Sequence, residues 1–318
     1  MSAEAAVATA TPFVLARARV ETVARVSPTF ARVTFAGPEL HAIGTPGRVL
    51  DQRIKLMFPV PGRPLPSLSG GPDWWEEWLA VPEESRGSMR TYSIRSLEVD
   101  DDATRIVVDF VLHLAEGASG PASRWAGSAA PGDEILLLGP RRGRTDAGGV
   151  EYDPGDARSV LLAGDETAAP AIARILEDAD PGLRGAAFIE VPDAGDALPI
   201  AAPAGVTVHW LPRGTGGSGS ALLPAVLAHL GAAAADEVRD VDGDELLWET
   251  PGYSGLGEAL RPDDSGGPDR TRDDRYVWIA GESGVVTTLR RHLVADLGLP
   301  RRHVAFMGYW RRGVAMRG

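Results

Sequence analysis

The segment Met89–Arg95 reads MRTYSIR and carries three side chains that together could hold a flat, phosphorylated ligand. Alternate side chains of a strand share a face, so Arg90 and Tyr92 are expected to point the same way, with Ser93 following at the turn. A guanidinium can bind a pyrophosphate, an aromatic ring can stack on an isoalloxazine, and a hydroxyl can hydrogen-bond near its N5 atom. The spacing favours a flavin-binding strand, although an ordinary exposed strand can carry the same short pattern.

A second motif, Gly120-Pro121-Ala122-Ser123, predicts a tight turn that opens a helix through Arg124, Trp125 and Ala126. Backbone amides at the start of a helix form a ready anion site and would offer a second phosphate contact. The alternative is a plain helix cap, because serine is common at that position.

Four further segments complete an ordered set: Asp109–His113 (DFVLH), residues 161–172 (LLAGDETAAPAI), residues 278–283 (WIAGES) and residues 307–313 (MGYWRRG). In this order the segments resemble the siderophore-interacting protein family, the FAD-dependent ferric-siderophore reductases of the ferredoxin reductase-like superfamily. The resemblance runs from about Phe13 to Gly313.

The resemblance implies a cofactor site and a substrate site. For FAD and the nucleotide it implies Arg90, Thr91, Tyr92, Ser93, Asp109, Val111, His113, Gly120, Pro121, Ala122, Ser123, Trp125, Asp165, Glu166, Thr167, Ala168 and Trp310. Of these, Asp165 to Ala168 would face the nicotinamide or the flavin edge, and Trp310 would lie against the flavin. A basic rim for an anionic ferric chelate would be drawn from Lys55, Arg142, Arg311 and Arg312. No catalytic side chain and no protein ligand to a metal are predicted, because the flavin carries the redox chemistry.

Composition limits the partners. A formal net charge of -12 argues against nucleic acid and anionic membranes as partners, and the lack of cysteine excludes disulfides and Cys-ligated iron–sulfur clusters. We find no signal peptide and no apolar run long enough to span a membrane, so we expect a cytoplasmic protein.

The hydrophobic period changes along the chain and predicts two domains. Short alternating runs over residues 13–140, with one helix, predict a six-stranded antiparallel Greek-key FAD-binding barrel. Residues 63–87 read as an irregular insertion whose tryptophans, Trp74, Trp75 and Trp78, either cap the barrel or line a bulky ligand. A linker at 141–157 leads to alternating strands and helices over 158–318, which predict a parallel-sheet α/β nucleotide-binding domain with a flexible insertion near 253–275.

The predicted activity is reduction of a ferric siderophore to the ferrous complex with NADH or NADPH as electron donor. Glu190 and Asp193 end a predicted strand where carboxylates would accept from a ribose diol, which favours NADH, whereas Arg213 could instead accommodate NADPH. No extra C-terminal helix follows Gly313, a feature that by resemblance goes with ferredoxin-using members. Two alternatives stay open: a general flavin reductase, and a siderophore carrier without catalysis. We expect a monomer.

Overall fold

The chain folds into two compact units, of which the first takes residues up to 26 and 30–150 and the second takes residues 27–29 and those from 151 onward. The computed structural model describes residues 11–44, 47–100, 103–112, 120–232, 248–250, 253–254, 275–300 and 303–314. His113 and most of the insertion predicted near 253–275 lie outside the described residues. Within the described part, no helix is both long and apolar enough to cross a bilayer.

The described part of the first unit contains an antiparallel sheet of seven strands, in the order β4-β3-β7-β1-β2-β6-β5. The strands are β1 (Phe13–Arg25), β2 (Phe30–Ala36), β3 (Arg53–Phe58), β4 (Ser88–Ser93), β5 (Ser96–Val99), β6 (Thr104–Val111) and β7 (Glu134–Pro140). The antiparallel barrel-like sheet is confirmed, but the count of six strands is wrong. The seventh strand, β5, has only four residues, and none of them is buried, so it carries too little apolar alternation to stand out.

Alternation along these strands places one set of apolar side chains inside the curled sheet. In β2, Val33 and Phe35 are fully buried and share this inner core with Leu56 of β3 and Phe110 of β6. The helix Pro121–Ser128, the third along the described chain and here called α3, adds Trp125, whose ring centroid lies 5.0 Å from that of Phe58. The inner core therefore fixes the concave side of the sheet.

The outer face of the same sheet is covered by the insertion that the sequence predicted to be irregular. That prediction is wrong in part, because the insertion contains two short helices, α1 (Trp74–Ala80) and α2 (Glu83–Arg86). Trp74 and Trp78 are buried against Met57 of β3 and Leu136 of β7, which confirms the capping interpretation for these two rings. Trp75 points outward and is 37% exposed.

The second unit also has a seven-stranded sheet in its described part, in the order β10-β9-β8-β13-β14-β11-β12. The strands are β8 (Ser159–Gly164), β9 (Arg184–Val191), β10 (Gly205–Pro212), β11 (Trp248–Thr250), β12 (Tyr253–Ser254), β13 (Arg275–Glu282) and β14 (Val304–Trp310). The first five in this order run parallel, and a hairpin of β11 and β12, which the sequence did not predict, adds antiparallel strands at the β14 edge. The parallel α/β prediction is confirmed.

Helix α3 (Pro121–Ser128) belongs to the first unit. Three further α-helices follow strands of the second unit: α4 (Ala169–Glu177), α5 (Leu222–His229) and α6 (Ser283–Arg291). The chain leaves β8 toward β9 and later returns through β13 toward β14, so the direction of the crossovers reverses between β8 and β13. Right-handed crossovers then place α4 on one face and α5 and α6 on the other, and α5 and α6 do share one core. Such a reversal opens a crevice at the carboxyl ends of the two strands, which is the usual ligand position in open α/β sheets.

Candidate functional site

Strand β4, which carries Arg90 and Tyr92, is an edge strand of the first sheet. Its register with β3 pairs Arg90 with Leu56 and Tyr92 with Ile54, both of which belong to the inner core. Arg90 and Tyr92 therefore share the inner face, because directly opposed residues of an antiparallel pair point to the same side. The outward edge of β4 leaves backbone groups for a ligand, since only β3 pairs with this strand in the described sheet.

The two inner-face side chains of β4 sit in different surroundings. The Tyr92 ring centroid lies 4.6 Å from that of Phe110, and burial raises the pKa of its phenol, which stays neutral. The Arg90 Nη1 atom donates to the Met89 carbonyl at 2.6 Å, and burial lowers the pKa of this guanidinium. No ion pair joins Arg90 to an acidic side chain within the described ranges, so its charge is available to an anion.

The start of α3 is open as far as the described residues show. Gly120 is the N-cap residue, no described side chain caps the helix, and a Cβ added to Gly120 would meet no described atom within 4 Å. Pro121 occupies the first turn, and Ala122 and Ser123 behind it are buried. The first amides of an uncapped helix are unsatisfied donors, so this end suits a phosphate.

Asp109 was expected to contact the cofactor, but its carboxylate is engaged by two arginines. Arg32 donates from Nε and Nη2 to the two Asp109 oxygens, each at 2.7 Å, and Arg95 Nε lies 3.8 Å from Oδ2. Asp109 is only 4% exposed. It holds two guanidiniums in place, and the β2–β6 register that sets Arg32 opposite Asp109 is the signal that sequence alone did not supply. Val111, at the end of β6, is buried.

The two predicted basic residues of the first unit, Lys55 and Arg142, differ in their contacts with other protein groups. Lys55 is half-buried beside Arg53, and burial and then the Arg53 charge lower its pKa. Its register partner is Thr91, so both lie on the outer face, opposite to Tyr92 but next to the same sheet edge. Arg142 is tied to β6, because its Nη2 donates to Thr104 Oγ1 at 2.8 Å.

The other two predicted basic residues, Arg311 and Arg312, follow β14 in the second unit. Arg311 is half-buried and Arg312 is exposed, and the Arg312 backbone amide donates to Glu282 Oε1 at 3.3 Å. Lys55 is half-buried and has neither an ion pair nor a side-chain hydrogen bond to another described residue, whereas the half-buried Arg142 is hydrogen-bonded to Thr104.

In the second unit, Asp165 lies at the crossover reversal between β8 and β13. Its carboxylate accepts from the Thr167 amide at 2.9 Å, the Thr167 hydroxyl at 2.5 Å, the Glu282 amide at 2.8 Å and Trp310 Nε1 at 2.7 Å. Burial, reinforced by the charge of Glu166, raises the pKa of Asp165 to about 7. Ala168, at the start of α4, is fully buried. The structure thus brings together Asp165, Thr167 and Trp310, which sequence reasoning named separately.

Two buried glutamates at the same sheet edge are paired with Arg213 or with a helix end. Arg213 donates to the two Glu166 oxygens at 2.6 and 2.7 Å, and although burial alone would lower the Arg213 pKa, Glu166 raises it. Glu190 is fully buried and accepts from three amides at the start of α5, those of Gly219, Ala221 and Leu222. Neither glutamate is placed to accept from a ribose.

A third glutamate at this sheet edge, Glu282, lies at the start of α6. Glu282 caps α6 by accepting from the Val285 amide at 3.0 Å. A small cavity lies between the starts of α5 and α6 and is lined by Asp165, Glu190, Glu282, Ser218, Leu222 and Val286. Unlike the start of α3, the starts of α5 and α6 are thus already occupied by carboxylates of the protein.

Models of two protein families match this chain over most of its length. A "Siderophore-interacting FAD-binding domain" matches residues 19–144, and a "Siderophore-interacting protein" model matches residues 157–313. The matches fall within the first and second units respectively, except that residues 27–29 belong to the second unit.

Curated proteins with names of known activity are similar to nearly the whole chain. A ferric vibriobactin reductase of Vibrio cholerae is 28% identical over 91% of this chain and 86% of its own, and an NADPH-dependent ferric-chelate reductase of Escherichia coli is 26% identical over 91% and 89%. An uncharacterized protein of Mycobacterium tuberculosis is 36% identical over 59% of this chain, and the match spans only 62% of that relative's length.

Solved structures show the same fold. A siderophore utilization protein from T. fusca has a TM-score of 0.67 and 26% identity, covering 96% of each chain. The ferredoxin reductase of a carbazole 1,9a-dioxygenase has a TM-score of 0.54 at 16% identity, covering 95% of this chain and 71% of its own, which is a likeness of fold alone.

Proposed function

Because this chain belongs to the siderophore-interacting protein family, we propose that it is a reductase of ferric siderophores that uses FAD and takes its electrons from NADH or NADPH. The observation that carries the proposal is the cofactor-shaped edge of the first unit. A half-buried guanidinium and an aromatic ring lie on one face of an edge strand, and the same unit contains a helix start; no described residue forms an ion pair with this guanidinium or caps this helix. The relatives named as ferric reductases supply the substrate class.

The first unit has residues that fit FAD. Arg90 would bind the pyrophosphate, with the open amides of α3 after Gly120 as the second contact. Tyr92 would stack on the ring system, and Ser93 at the end of β4 would hydrogen-bond to its edge. When bound, the flavin takes an electron pair from the nicotinamide and passes electrons singly to Fe(III).

The second unit would position the nicotinamide nucleotide through residues 165–168 and Trp310. Glu190 caps α5 and Asp193 caps the short turn Ala194–Asp196, so the basis for a preference for NADH falls away. Arg213 is committed to Glu166, so it offers NADPH no free guanidinium either. Both nucleotides therefore stay candidate donors, and the Escherichia coli relative is NADPH-dependent by name.

Lys55 would recognise the substrate, because ferric siderophores are bulky anions and a half-buried cation attracts them. Siderophore oxygens are hard ligands that hold Fe(III) far better than Fe(II), so reduction itself releases the metal. Iron is thus a substrate. Within the described residues no group of three or more His, Asp or Glu is arranged to hold a metal ion. We further propose that the enzyme is a cytoplasmic monomer.

The proposal is tested with purified protein under anaerobic conditions. We expect about one FAD per chain, oxidation of NADPH or NADH on addition of a ferric catecholate chelate, and formation of Fe(II) that a ferrous-specific dye traps. Protein that binds a ferric siderophore without FAD would instead be a carrier. Protein that reduces free flavin much faster than it reduces bound Fe(III) would be a general flavin reductase.

A further inference from the structure

The carboxylate of Asp165 is fully used by the protein itself. An ionised carboxylate has two oxygens with about four acceptor positions, and four donors approach Asp165, two at each oxygen. The side chain is 4% exposed. It has no acceptor position left for a nucleotide, so its role must lie in orienting the protein groups that donate to it.

The backbone around Asp165 is shaped to bring these donors close. Gly281 has φ +143°, and a Cβ there would lie 2.7 Å from Asp165 Oδ2. A Cβ on Gly164 would lie 2.7 Å from the Ala280 carbonyl oxygen and 2.5 Å from the Ala168 Cβ. Both glycines therefore permit a close approach of β8 to β13 that any side chain would prevent, and the Glu282 amide reaches Asp165 as a result.

Trp310 is the one donor of the four that belongs to a movable ring. It is half-buried at the end of β14, and its Nε1 atom donates to Asp165 Oδ2 at 2.7 Å. Its carbonyl oxygen accepts from the Ser283 hydroxyl at 3.0 Å. The backbone of Trp310 is thus tied to the start of α6, and the hydrogen bond to Asp165 constrains the plane of its indole.

We propose that Asp165 is a positioning residue that fixes the indole of Trp310 at the nucleotide-binding edge of the second unit. Removing the carboxylate takes away this acceptor of the indole N–H and loosens the orientation of the ring at the edge where the nicotinamide reacts. The inference rests on the proposed function only in assigning the nucleotide to this edge. The hydrogen bond itself can be tested without any ligand.

The direct test is the indole N–H resonance of Trp310 in protein labelled with ¹⁵N-tryptophan, assigned by its loss in Trp310→Phe. In the wild type above pH 7, where the Asp165 carboxyl is ionised, we expect a downfield resonance with slow exchange against solvent, because the proton is held by a carboxylate. Asp165→Asn places an amide NH₂ among four donors, so the resonance should move upfield and exchange faster. Thr167→Val, which removes a different donor from the same carboxylate, should leave the Trp310 resonance near its wild-type position.

The functional test is a double-mutant cycle on the rate of FAD reduction by NADPH or NADH. Asp165→Asn and Trp310→Phe should each lower the rate about tenfold, as expected for a lost hydrogen bond to a charged group. The double variant should be no slower than either single variant within about twofold, because both changes break one contact. FAD content should stay at the wild-type level in all three.

These results separate the inference from the proposed function. A Trp310 resonance that exchanges like an exposed indole in the wild type would overturn the positioning role whatever the protein reduces. Rate losses that multiply in the double variant would also overturn it. Should Asp165→Asn fail to fold, the exchange rate of the Trp310 indole proton in the wild type still decides the matter. A protein without FAD would contradict the proposed function and leave the indole result standing.

Discussion

Gly87 lies in the turn that leads into β4. Among glycine-to-alanine replacements in the first unit, we expect Gly87→Ala to destabilise the edge strand that carries Arg90 and Tyr92 the most. The φ of Gly87 is 81° and its ψ is -145°, a region that essentially only glycine occupies. A Cβ at Gly87 would lie 2.1 Å from the carbonyl oxygen of Phe58. Phe58 pairs with Ser88 at the start of β4, so the clash falls on the ladder that holds this strand.

The magnitude follows from two costs. A non-glycine residue in this backbone region costs about 1–3 kcal/mol. The contact with Phe58 adds to it, and a backbone oxygen cannot be relieved by a change of rotamer. We expect a total loss of at least about 3 kcal/mol, a large share of the stability of a typical domain. Gly62 is the matched control, because its φ is 75° but a Cβ there would meet nothing within 4 Å, so alanine should cost only about 1–2 kcal/mol.

Thermal unfolding followed by FAD release and by circular dichroism measures the difference. Gly87→Ala should release FAD on the order of 10 °C below the wild type, and Gly62→Ala only a few degrees below. Gly87→Ala should also be purified with less FAD than Gly62→Ala. If the two variants unfold within a degree or two of one another with equal FAD content, the turn does not hold β4 as argued.

Other perturbations test the two sites separately. Arg90→Ala should weaken FAD binding about 10- to 150-fold, the loss of a charge-assisted contact, and normal FAD content after dialysis would contradict the pyrophosphate role. Lys55→Ala should raise KM for an anionic ferric chelate about fivefold at low salt and less at high salt, whereas FAD reduction by NADPH should not change; an unchanged KM would place the basic site elsewhere. Glu166→Gln should lower the free energy of unfolding by about 1.5–3 kcal/mol, since it leaves half-buried Arg213 with only its 3.7 Å contact to Glu190, and a loss below about 1 kcal/mol in denaturant titration would refute this. The pKa of Asp165 is raised from 3.8 to about 7, so between these pH values the folded state binds one proton that the unfolded state has lost. The free energy of unfolding therefore falls as pH rises from 4 to 7, by roughly 4 kcal/mol at most. The melting temperature of Asp165→Asn should lack this fall, and parallel pH profiles for the two proteins would contradict it.

The sequence predicted the elements that have a strong local period. The strand Phe30–Ala36 belongs to the alternating runs predicted over residues 13–140, because its alternation is regular and turn residues flank it. The alternation of strands and helices predicted over 158–318 is present in the structure and includes β8 and β13. Weakly patterned elements were missed: β5 is short and exposed, and the hairpin of β11 and β12 lies in a stretch dominated by polar and turn residues.

The candidate site was predicted as a set of residues but not as a set of contacts. Asp165 and Trp310 are 145 residues apart, and no local pattern reports that a carboxylate and an indole will meet. Arg32 and Asp109 are likewise 77 residues apart and meet only through the β2–β6 register. Long-range pairing of this kind is set by topology, so the sequence could name the chemistry and could not say which side chains are already committed to one another.

The most direct test of the account is a single-turnover measurement on the FAD-loaded protein. The flavin is first reduced anaerobically with one equivalent of NADPH or NADH, and the protein is then mixed with an excess of ferric siderophore while flavin absorbance and trapped Fe(II) are followed together. We expect the flavin to reoxidise without oxygen and to yield two Fe(II) per FAD, because the flavin gives up two electrons and each Fe(III) accepts one. A flavin that stays reduced in the presence of ferric siderophore until oxygen is admitted would contradict the account.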